Sequence, residues 1–255
     1  MRAGGLPILT AALLAAGAAS AGPWTQPKGH GQVIVKYESM GAEEGFDPAG
    51  DPAPLPAERR DEAVGVFAEY GLTDRLTLQI KGDWQSGEDA FFDYEGRGPV
   101  EIGVTWQVWR DDRAAASLYA GAAEDGDARN AGYAPPGVGG RDYEVRASAG
   151  RSFGGRGAMT GSFVDLQAAR RMRDGLADET RVDVTAGAHF GDAWMVLAQA
   201  YGGLADDEGP RWLSVETSVV RNLGDWSLQL GWREAVAGRE TPRSSGPVLA
   251  LWRRF

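Results

Sequence analysis

The chain has 255 residues, no cysteine, and 36 acidic against 26 basic residues, which gives a formal net charge of −10. Without cysteine it forms no disulfide and no thiolate metal site, and its acidic balance argues against a nucleic-acid partner because phosphate binding needs clustered positive charge. Its 37 glycines and 9 tryptophans favour a tightly turned sheet with interfacial aromatic residues over a helical bundle.

Residues 1–21 have the pattern of a secretory signal peptide. Arg2 supplies the positive charge, residues 6–18 are apolar, and Ala19-Ser20-Ala21 form a small-residue cleavage site. The apolar run is shorter than the roughly 20 residues that span a bilayer as a helix, which favours a cleaved signal over an anchor. No later stretch is longer, so we expect the mature chain to cross a membrane only as a closed barrel.

Residues 22–30 form a polar lead-in, which we place in the periplasm, and the barrel is predicted over residues 31–255. The clearest strand is residues 75–84, where Leu76, Leu78 and Ile80 share one face and Thr77 and Gln79 lie on the other. Twelve such segments are predicted, and they begin near residues 31, 63, 75, 99, 114, 142, 157, 180, 193, 210, 225 and 247.

The connections between these segments alternate in length. Short Gly- and Asp-containing turns, such as Gly191-Asp192, alternate with longer loops predicted near residues 42–62, 85–98, 124–141, 171–179, 203–209 and 235–246. A Greek-key sandwich would mix its connection lengths. The alternation therefore predicts an all-β fold, a transmembrane antiparallel up-and-down β-barrel of about 12 strands with both termini on the periplasmic side.

The last segment, residues 246–255, is an amphipathic strand that ends on Phe255. It resembles the terminal strand by which the barrel assembly machinery recognises outer-membrane barrels, so Phe255 is predicted to be an assembly signal and that machinery a partner. We expect residues 248–255 to pair with residues 33–40 and close the sheet. Arg253 then faces outward near the periplasmic end and reaches the headgroups.

Aromatic residues form two bands, one beside the short turns and one beside the long loops, as at two membrane interfaces. Trp109, Trp212 and Trp252 depart from the pattern because they fall on the inward face.

Charged residues on the inward phase of the strands are the candidate functional residues, because charge facing lipid is costly. The predicted lumen-lining residues are Lys36, Glu38, Glu69, Lys81, Asp83, Glu101, Glu144, Arg146, Asp165, Arg181, Asp183, Glu216, Arg233 and Arg254. They either line a narrow polar passage or form an ion-pair network that fills and stiffens a small barrel. Twelve strands lie between barrels filled by side chains and wide porins.

Features of enzymes and metal sites are few. His30 and His189 are the two histidines, too few for a site of three, and neither GxSxG nor HExxH occurs. Asp125, Asp127 and Asn130 have only a partial likeness to a calcium loop. We therefore predict no enzyme, no cofactor and no metal, with an outer-membrane enzyme at the barrel rim as the least favoured alternative.

The long loops hold most of the negative charge, with 21 acidic and 9 basic residues in the ranges above. This charge either acts on charged solutes and the anionic outer leaflet or simply keeps the loops solvated. Outer-membrane lipid and lipopolysaccharide are the expected partners.

Three stretches, WTQPKGHGQVIVKY, VFAEYGLTDRLTLQIKGDW and GRGPVEIGVTWQVWRDD, resemble the outer-membrane transporters of the meta-pathway of phenol degradation. The resemblance covers about a third of the chain and implies a barrel that handles small, hydrophobic molecules. Together with the strand pattern it predicts an outer-membrane passive transporter or narrow channel for a small-molecule solute. A structural or surface-interaction barrel whose acidic loops bind a partner remains the alternative.

Overall fold

A computed structural model describes residues 22–255, and the predicted signal peptide lies outside them. It contains fourteen strands: β1 (Gly31–Phe46), β2 (Pro52–Thr73), β3 (Leu76–Glu88), β4 (Asp93–Arg97), β5 (Val100–Arg110), β6 (Ala114–Glu124), β7 (Arg141–Arg156), β8 (Met159–Met172), β9 (Glu179–Phe190), β10 (Trp194–Ala205), β11 (Arg211–Leu223), β12 (Trp226–Arg239), β13 (Thr241–Pro242) and β14 (Ser245–Arg254). No helix among these residues is long and apolar enough to cross a membrane.

All strands belong to one antiparallel sheet that closes on itself. The strand β1 pairs with β2 on one side and with β14 on the other. Two strands are interrupted: β4 and β5 both pair with β3, and β13 and β14 both pair with β1. Counting each interrupted strand once leaves twelve, and consecutive strands are neighbours throughout. The predicted twelve-stranded up-and-down barrel is confirmed.

The closing seam lies where the terminal strand was expected to pair. Val33 is opposite Arg253 and Glu38 is opposite Val248. The main chains of Gly31 and Phe255 exchange two hydrogen bonds of 2.8 and 3.0 Å. Because every strand then has two partners, the sheet has no free edge along the bilayer.

The two faces of the sheet have the opposite polarity to those of a water-soluble barrel. On β5, Ile102 is 53% exposed on the outer face, whereas the adjacent Glu101 is 2% exposed inside. On β12, Leu230 is 62% exposed and Gln229 is buried. Outward apolar and inward polar side chains are the arrangement that a hydrocarbon surrounding requires.

Exposed aromatic residues confirm the two predicted bands. Trp106, Phe190 and Trp226 lie beside the short turns, and Trp84 and Trp232 lie near the opposite end, which we call the long-loop end.

The inward prediction for Trp109 is wrong. A β-bulge after Gln107 places Trp109 opposite Ala116, and the Trp109 side chain is 51% exposed on the lipid face with Trp106. An extra residue in a bulge shifts the alternation by one, which periodicity alone does not reveal. Trp252, in contrast, is buried inside as predicted.

Several predicted loops are shorter than expected because the strands continue past the bilayer. Residues 42–62 are almost entirely strand, and only residues 47–51 connect β1 to β2. Every second residue at the start of β2 is a proline, namely Pro52, Pro54 and Pro56, so the missing N–H donors all lie along one edge of the strand. Only β1 pairs with this part of β2. The connections between β3 and β4, residues 89–92, and between β12 and β13, residue 240 alone, are also short.

The short turns lie at the other end of the barrel, which we call the short-turn end. Leu223 pairs with Trp226 across Gly224-Asp225, and Gly224 has φ 67°. Glycine adopts this conformation at the first central position of a type II′ hairpin at little cost.

An apolar core fills the lumen at the short-turn end. Its buried members come from β1, β8, β10, β11 and β14, and they are Ile34, Phe163, Met195, Leu197, Val220, Ala250 and Trp252. Trp24 and Phe67 pack against this core.

The N-terminal segment (residues 22–30) enters the barrel at this end. Trp24 lies edge-on to Phe163, with ring centroids 6.5 Å apart. Inside the wall, the Gln107 side-chain amide donates to the Pro23 carbonyl at 3.0 Å, and the Gln26 backbone N–H donates to the Thr77 hydroxyl at 2.9 Å. The segment thus lies within the lumen and fills it together with the apolar core.

Deletion of Phe255 should impair assembly. It removes the two main-chain hydrogen bonds to Gly31, a loss of about 2 kcal/mol at about 1 kcal/mol each, and it removes the terminal aromatic ring. We expect a reduced folded band in outer-membrane fractions, measured by heat-modifiable gel mobility. The variant Phe255→Tyr keeps both features and should assemble normally, whereas normal folded levels of the deletion would contradict the role of Phe255.

Candidate functional site

A cavity of about 690 Å³ occupies the lumen above the apolar core. Its lining mixes charged side chains with apolar ones such as Ile34, Phe67 and Trp252. Ten of the fourteen predicted residues line it: Lys36, Glu38, Lys81, Asp83, Glu101, Arg146, Arg181, Asp183, Glu216 and Arg233.

The four remaining predicted residues point inward but lie outside the cavity lining. Glu144 is buried in the charge network beside the cavity. The Glu69 carboxylate accepts from three side-chain amides, those of Gln26, Gln32 and Gln79. Asp165 is 1% exposed, and Arg254 donates to the Ser227 hydroxyl at 2.9 Å.

One half of the wall holds a dense network of ion pairs centred on Arg171. Its guanidinium contacts Glu101 directly, Glu144 at 3.2 Å and Asp142 at 3.7 Å. Lys81 reaches Glu101 at 3.0 Å from the neighbouring strand. Because three carboxylates converge on one guanidinium, the network ties together β3, β5, β7 and β8 inside the lumen.

The network continues toward the long-loop end through Arg173, whose side chain is fully buried. Arg173 contacts Asp142 at 3.0 Å and Glu179 at 2.6 Å. Arg181 also pairs with Glu179 and lies 3.9 Å from Glu144.

A second network lies on the other half of the wall. Arg233 contacts Glu38 and Glu216, both at 2.6 Å, and Lys36 contacts Glu38 at 2.9 Å. The Arg233 guanidinium also lies over the Tyr201 ring, 4.9 Å from its centroid.

Sequence reasoning missed Arg171, Arg173 and Glu179 because residues 171–179 were taken as a loop. It missed Asp142 although that residue begins a predicted strand and shares the inward phase of Glu144. The strand β8 continues to Met172, and Asp165, Gln167 and Arg171 occupy the same inward phase. Extension of the predicted strand by one residue past position 170 would have identified Arg171.

The connection from β6 to β7, residues 125–140, crosses the mouth of the barrel at the long-loop end, and we call it the crossing loop. The Arg129 guanidinium anchors it on one side, contacting Asp89 and lying 3.5 Å from Asp61. The same group lies 5.0 Å from the centroid of the Tyr94 ring. Arg129 is 7% exposed, although the sequence places it in an external loop.

The opposite wall holds the other side of the crossing loop. The Tyr133 hydroxyl donates to Glu179 at 2.5 Å, and its ring packs on Trp212 at 5.9 Å between centroids. Arg173 donates to the Asn130 carbonyl at 2.9 Å. Burial and the hydrogen bond to Glu179 raise the pKa of the Tyr133 hydroxyl.

The calcium-like stretch at residues 125–130 has a structural role. Asn130 accepts from the Gly126 N–H at 2.8 Å and donates to the Val138 carbonyl at 3.0 Å. Burial and the neighbouring Asp142 raise the pKa of Asp125. These contacts shape the crossing loop, whose Ala131 and Gly132 face the cavity. A smaller cavity of about 180 Å³ lies on its other side.

The histidines take no part in these networks. His189 packs against Phe163 near the short-turn end, with ring centroids 6.2 Å apart. Among residues 22–255, no group of three or more His, Cys, Asp or Glu side chains is arranged to hold a metal ion.

Neither the family models nor the curated protein sequences include a match to this chain. Solved structures do match. The COG4313 outer membrane channel from Pseudomonas putida F1 has a TM-score of 0.70 at 13% identity, over 94% of this chain and 100% of that one. The barrel fold is that of an outer-membrane channel.

Two porins show the same fold at greater distance. The KdgM porin has a TM-score of 0.54 at 5% identity, over 87% of this chain and 99% of that one. The NanC porin has a TM-score of 0.52 at 8% identity, over 86% of this chain and 97% of that one. Identities this low show a shared architecture alone.

Replacement of Arg171 by Met should destabilise the barrel strongly, because it leaves Glu101, Glu144 and Asp142 with less compensating charge. Removal of one partner from a buried ion pair costs about 3–5 kcal/mol. Urea unfolding in lipid vesicles, followed by heat-modifiable mobility, measures the loss. Arg141→Met is the matched control, because Arg141 and its partner Glu124 are largely exposed and such pairs contribute about 0–1 kcal/mol. Equal losses in the two variants would argue against the network.

Proposed function

We propose that this protein is a passive outer-membrane channel for small solutes, and that the charged residues of its lumen determine which solutes enter. The cavity of about 690 Å³ inside a closed barrel wall is the observation that carries the proposal. A barrel with a purely structural role needs no such space, since side chains alone fill a small lumen.

The two ends of the cavity indicate a controlled passage. Toward the periplasm, the N-terminal segment and the apolar core fill the lumen. Toward the outside, the crossing loop restricts the mouth, held by Arg129 on one wall and Tyr133 on the other. A solute therefore reaches the cavity past the crossing loop and leaves it when the N-terminal segment moves.

The comparisons support this assignment. The three proteins compared above are an outer membrane channel and two porins, and a second KdgM structure is a complex with disordered oligogalacturonate. Their substrates are not transferred to this chain, because the identities lie between 5 and 13%. We further propose that the barrel is not an enzyme, that the barrel assembly machinery inserts it, and that it contacts lipopolysaccharide in the outer leaflet.

Planar-bilayer recording of the refolded protein tests the channel directly. We expect discrete conductance steps smaller than those of a wide general porin. A folded, inserted barrel that gives no current above leak would overturn the channel and leave the structural barrel as the better assignment.

Gly150→Val should raise the conductance, because a Cβ at Gly150 would lie 2.5 Å from the Trp24 ring. The added side chain displaces the N-terminal segment from the lumen and opens the periplasmic end. We expect a conductance increase of about twofold or more, as for a pore freed of an internal segment. Gly154→Val on the same strand is the matched control, since a Cβ there meets no atom within 4 Å. An unchanged conductance in Gly150→Val would show that the segment does not limit passage.

Arg129→Gln should increase current noise and brief openings, because the crossing loop loses its contacts with Asp61 and Asp89. Single-channel recording measures the effect. Arg60→Gln removes an exposed guanidinium on β2 that pairs with the exposed Glu58, and this variant should leave the traces unchanged. Indistinguishable traces from the two variants would contradict the role of Arg129.

A further inference from the structure

The formal charge of the cavity lining differs from the charge that a solute meets. The lining contains seven basic residues, Lys36, Lys81, Arg129, Arg146, Arg171, Arg181 and Arg233, and five acidic ones, Glu38, Asp83, Glu101, Asp183 and Glu216. A count of these residues alone predicts an anion-selective passage.

The ion pairs reverse that expectation. Each of the seven basic residues lies within 4.0 Å of at least one carboxylate. Some of these carboxylates, such as Glu38 and Glu216, line the cavity themselves, whereas Glu144 is buried in the wall beside it. With Arg59 and Arg173, which belong to the same networks, nine basic residues pair with nine acidic ones: Glu38, Asp61, Asp89, Glu101, Asp125, Asp142, Glu144, Glu179 and Glu216. These networks are neutral as a whole.

Asp83 and Asp183 are the lining carboxylates that remain. Neither has an ion pair among residues 22–255. Asp83 accepts one hydrogen bond, from the Gln85 amide at 2.9 Å, and its other oxygen has no partner in the described chain. The Asp183 carboxylate accepts no hydrogen bond from a side chain or from the backbone within that range, and its side chain is partly exposed to the cavity.

The two carboxylates lie on nearly opposite walls. Asp83 is on β3 and Asp183 on β9, which are five steps apart in the twelve-strand ring through β5, β6, β7 and β8. A solute that crosses the cavity passes between them. In a narrow, low-dielectric lumen, charge without a counter-charge dominates the local potential.

We propose that Asp83 and Asp183 are the selectivity-determining residues of this lumen, and that they make it favour small cations over anions. The paired basic residues hold the wall together and contribute little net field. The proposal rests on the proposed function in one respect, that the cavity is a passage for solutes. The electrostatic field inside the cavity exists whether or not solutes cross the whole barrel.

A single thiol in the cavity reports that field without any current. The chain has no cysteine, so Ala63→Cys places one thiol in the lining, on the strand next to Asp83. A cationic and an anionic methanethiosulfonate reagent are compared by their rates of reaction with Cys at this position in the folded barrel. The cationic-to-anionic rate ratio at Ala63→Cys is divided by the same ratio at Ala57→Cys, an exposed position on the same strand. The quotient is the corrected ratio.

We expect the cationic reagent to be favoured in Ala63→Cys, and Asp83→Asn with Asp183→Asn to lower the corrected ratio by about three- to tenfold, as expected for the loss of two nearby charges. Asp165→Asn is the control, because Asp165 is buried and outside the lining, and it should leave the ratio unchanged. Lys81→Gln should change the ratio in the opposite direction, since it removes one paired positive charge and adds one net negative charge.

Reversal potentials under a KCl gradient complete the test. A preference for K⁺ that disappears in the double Asn variant supports the proposal, whereas anion preference, or a labelling ratio that the double variant leaves unchanged, overturns it. Faster labelling by the cationic reagent, without any current in the bilayer, would overturn the proposed channel function and would support the assignment of Asp83 and Asp183. A current without preference for cations or anions would support the channel function and overturn the assignment. Failure of both reagents to react would overturn the channel function and the assignment alike.

Discussion

The structure depends on the requirement that no backbone polar group remain unpaired in hydrocarbon. A sheet meets that requirement only by closing, since a free edge would leave a row of N–H and C=O groups in lipid. The seam between β1 and β14 is therefore the contact without which the other strand pairs have no stable place in a bilayer. Gly31 and Phe255 complete it with the last two main-chain hydrogen bonds.

Closure also determines where charge is placed. Once the outer face meets lipid, each charged side chain in a membrane-spanning strand must point inward or reach an interface, as Arg253 does by pairing with Asp225 at 2.8 Å. The lumen thereby collects more charge than it can leave unpaired, and the Arg171 and Arg233 networks are the result. Most of the inward charged residues belong to these ion-pair networks, whereas Asp83 and Asp183 face the cavity without an ion pair among residues 22–255.

The lumen is divided along its axis by the kind of residue that each level carries. Near the short turns, Trp252 and Phe163 point inward and form a core with Trp24 from the N-terminal segment. Farther up, the inward positions are charged and leave space, and the crossing loop covers that space from outside. The lower half of the lumen is therefore filled, and the upper half retains the cavity.

Residue alternation and turn spacing were enough to predict an all-β barrel, its twelve strands, its closing pair and the inward direction of the charged residues. These properties are readable because a strand has a period of two and lipid penalises every error in it. The bulge at Trp109, the inward path of the N-terminal segment and the folding of the crossing loop into the mouth were decided only in three dimensions. So was the pairing that leaves Asp83 and Asp183 without an ion pair among the described residues. Apart from the bulge, each of these depends on which strands face one another across the lumen. Closure of the barrel sets that arrangement, and no local pattern in the chain reveals it.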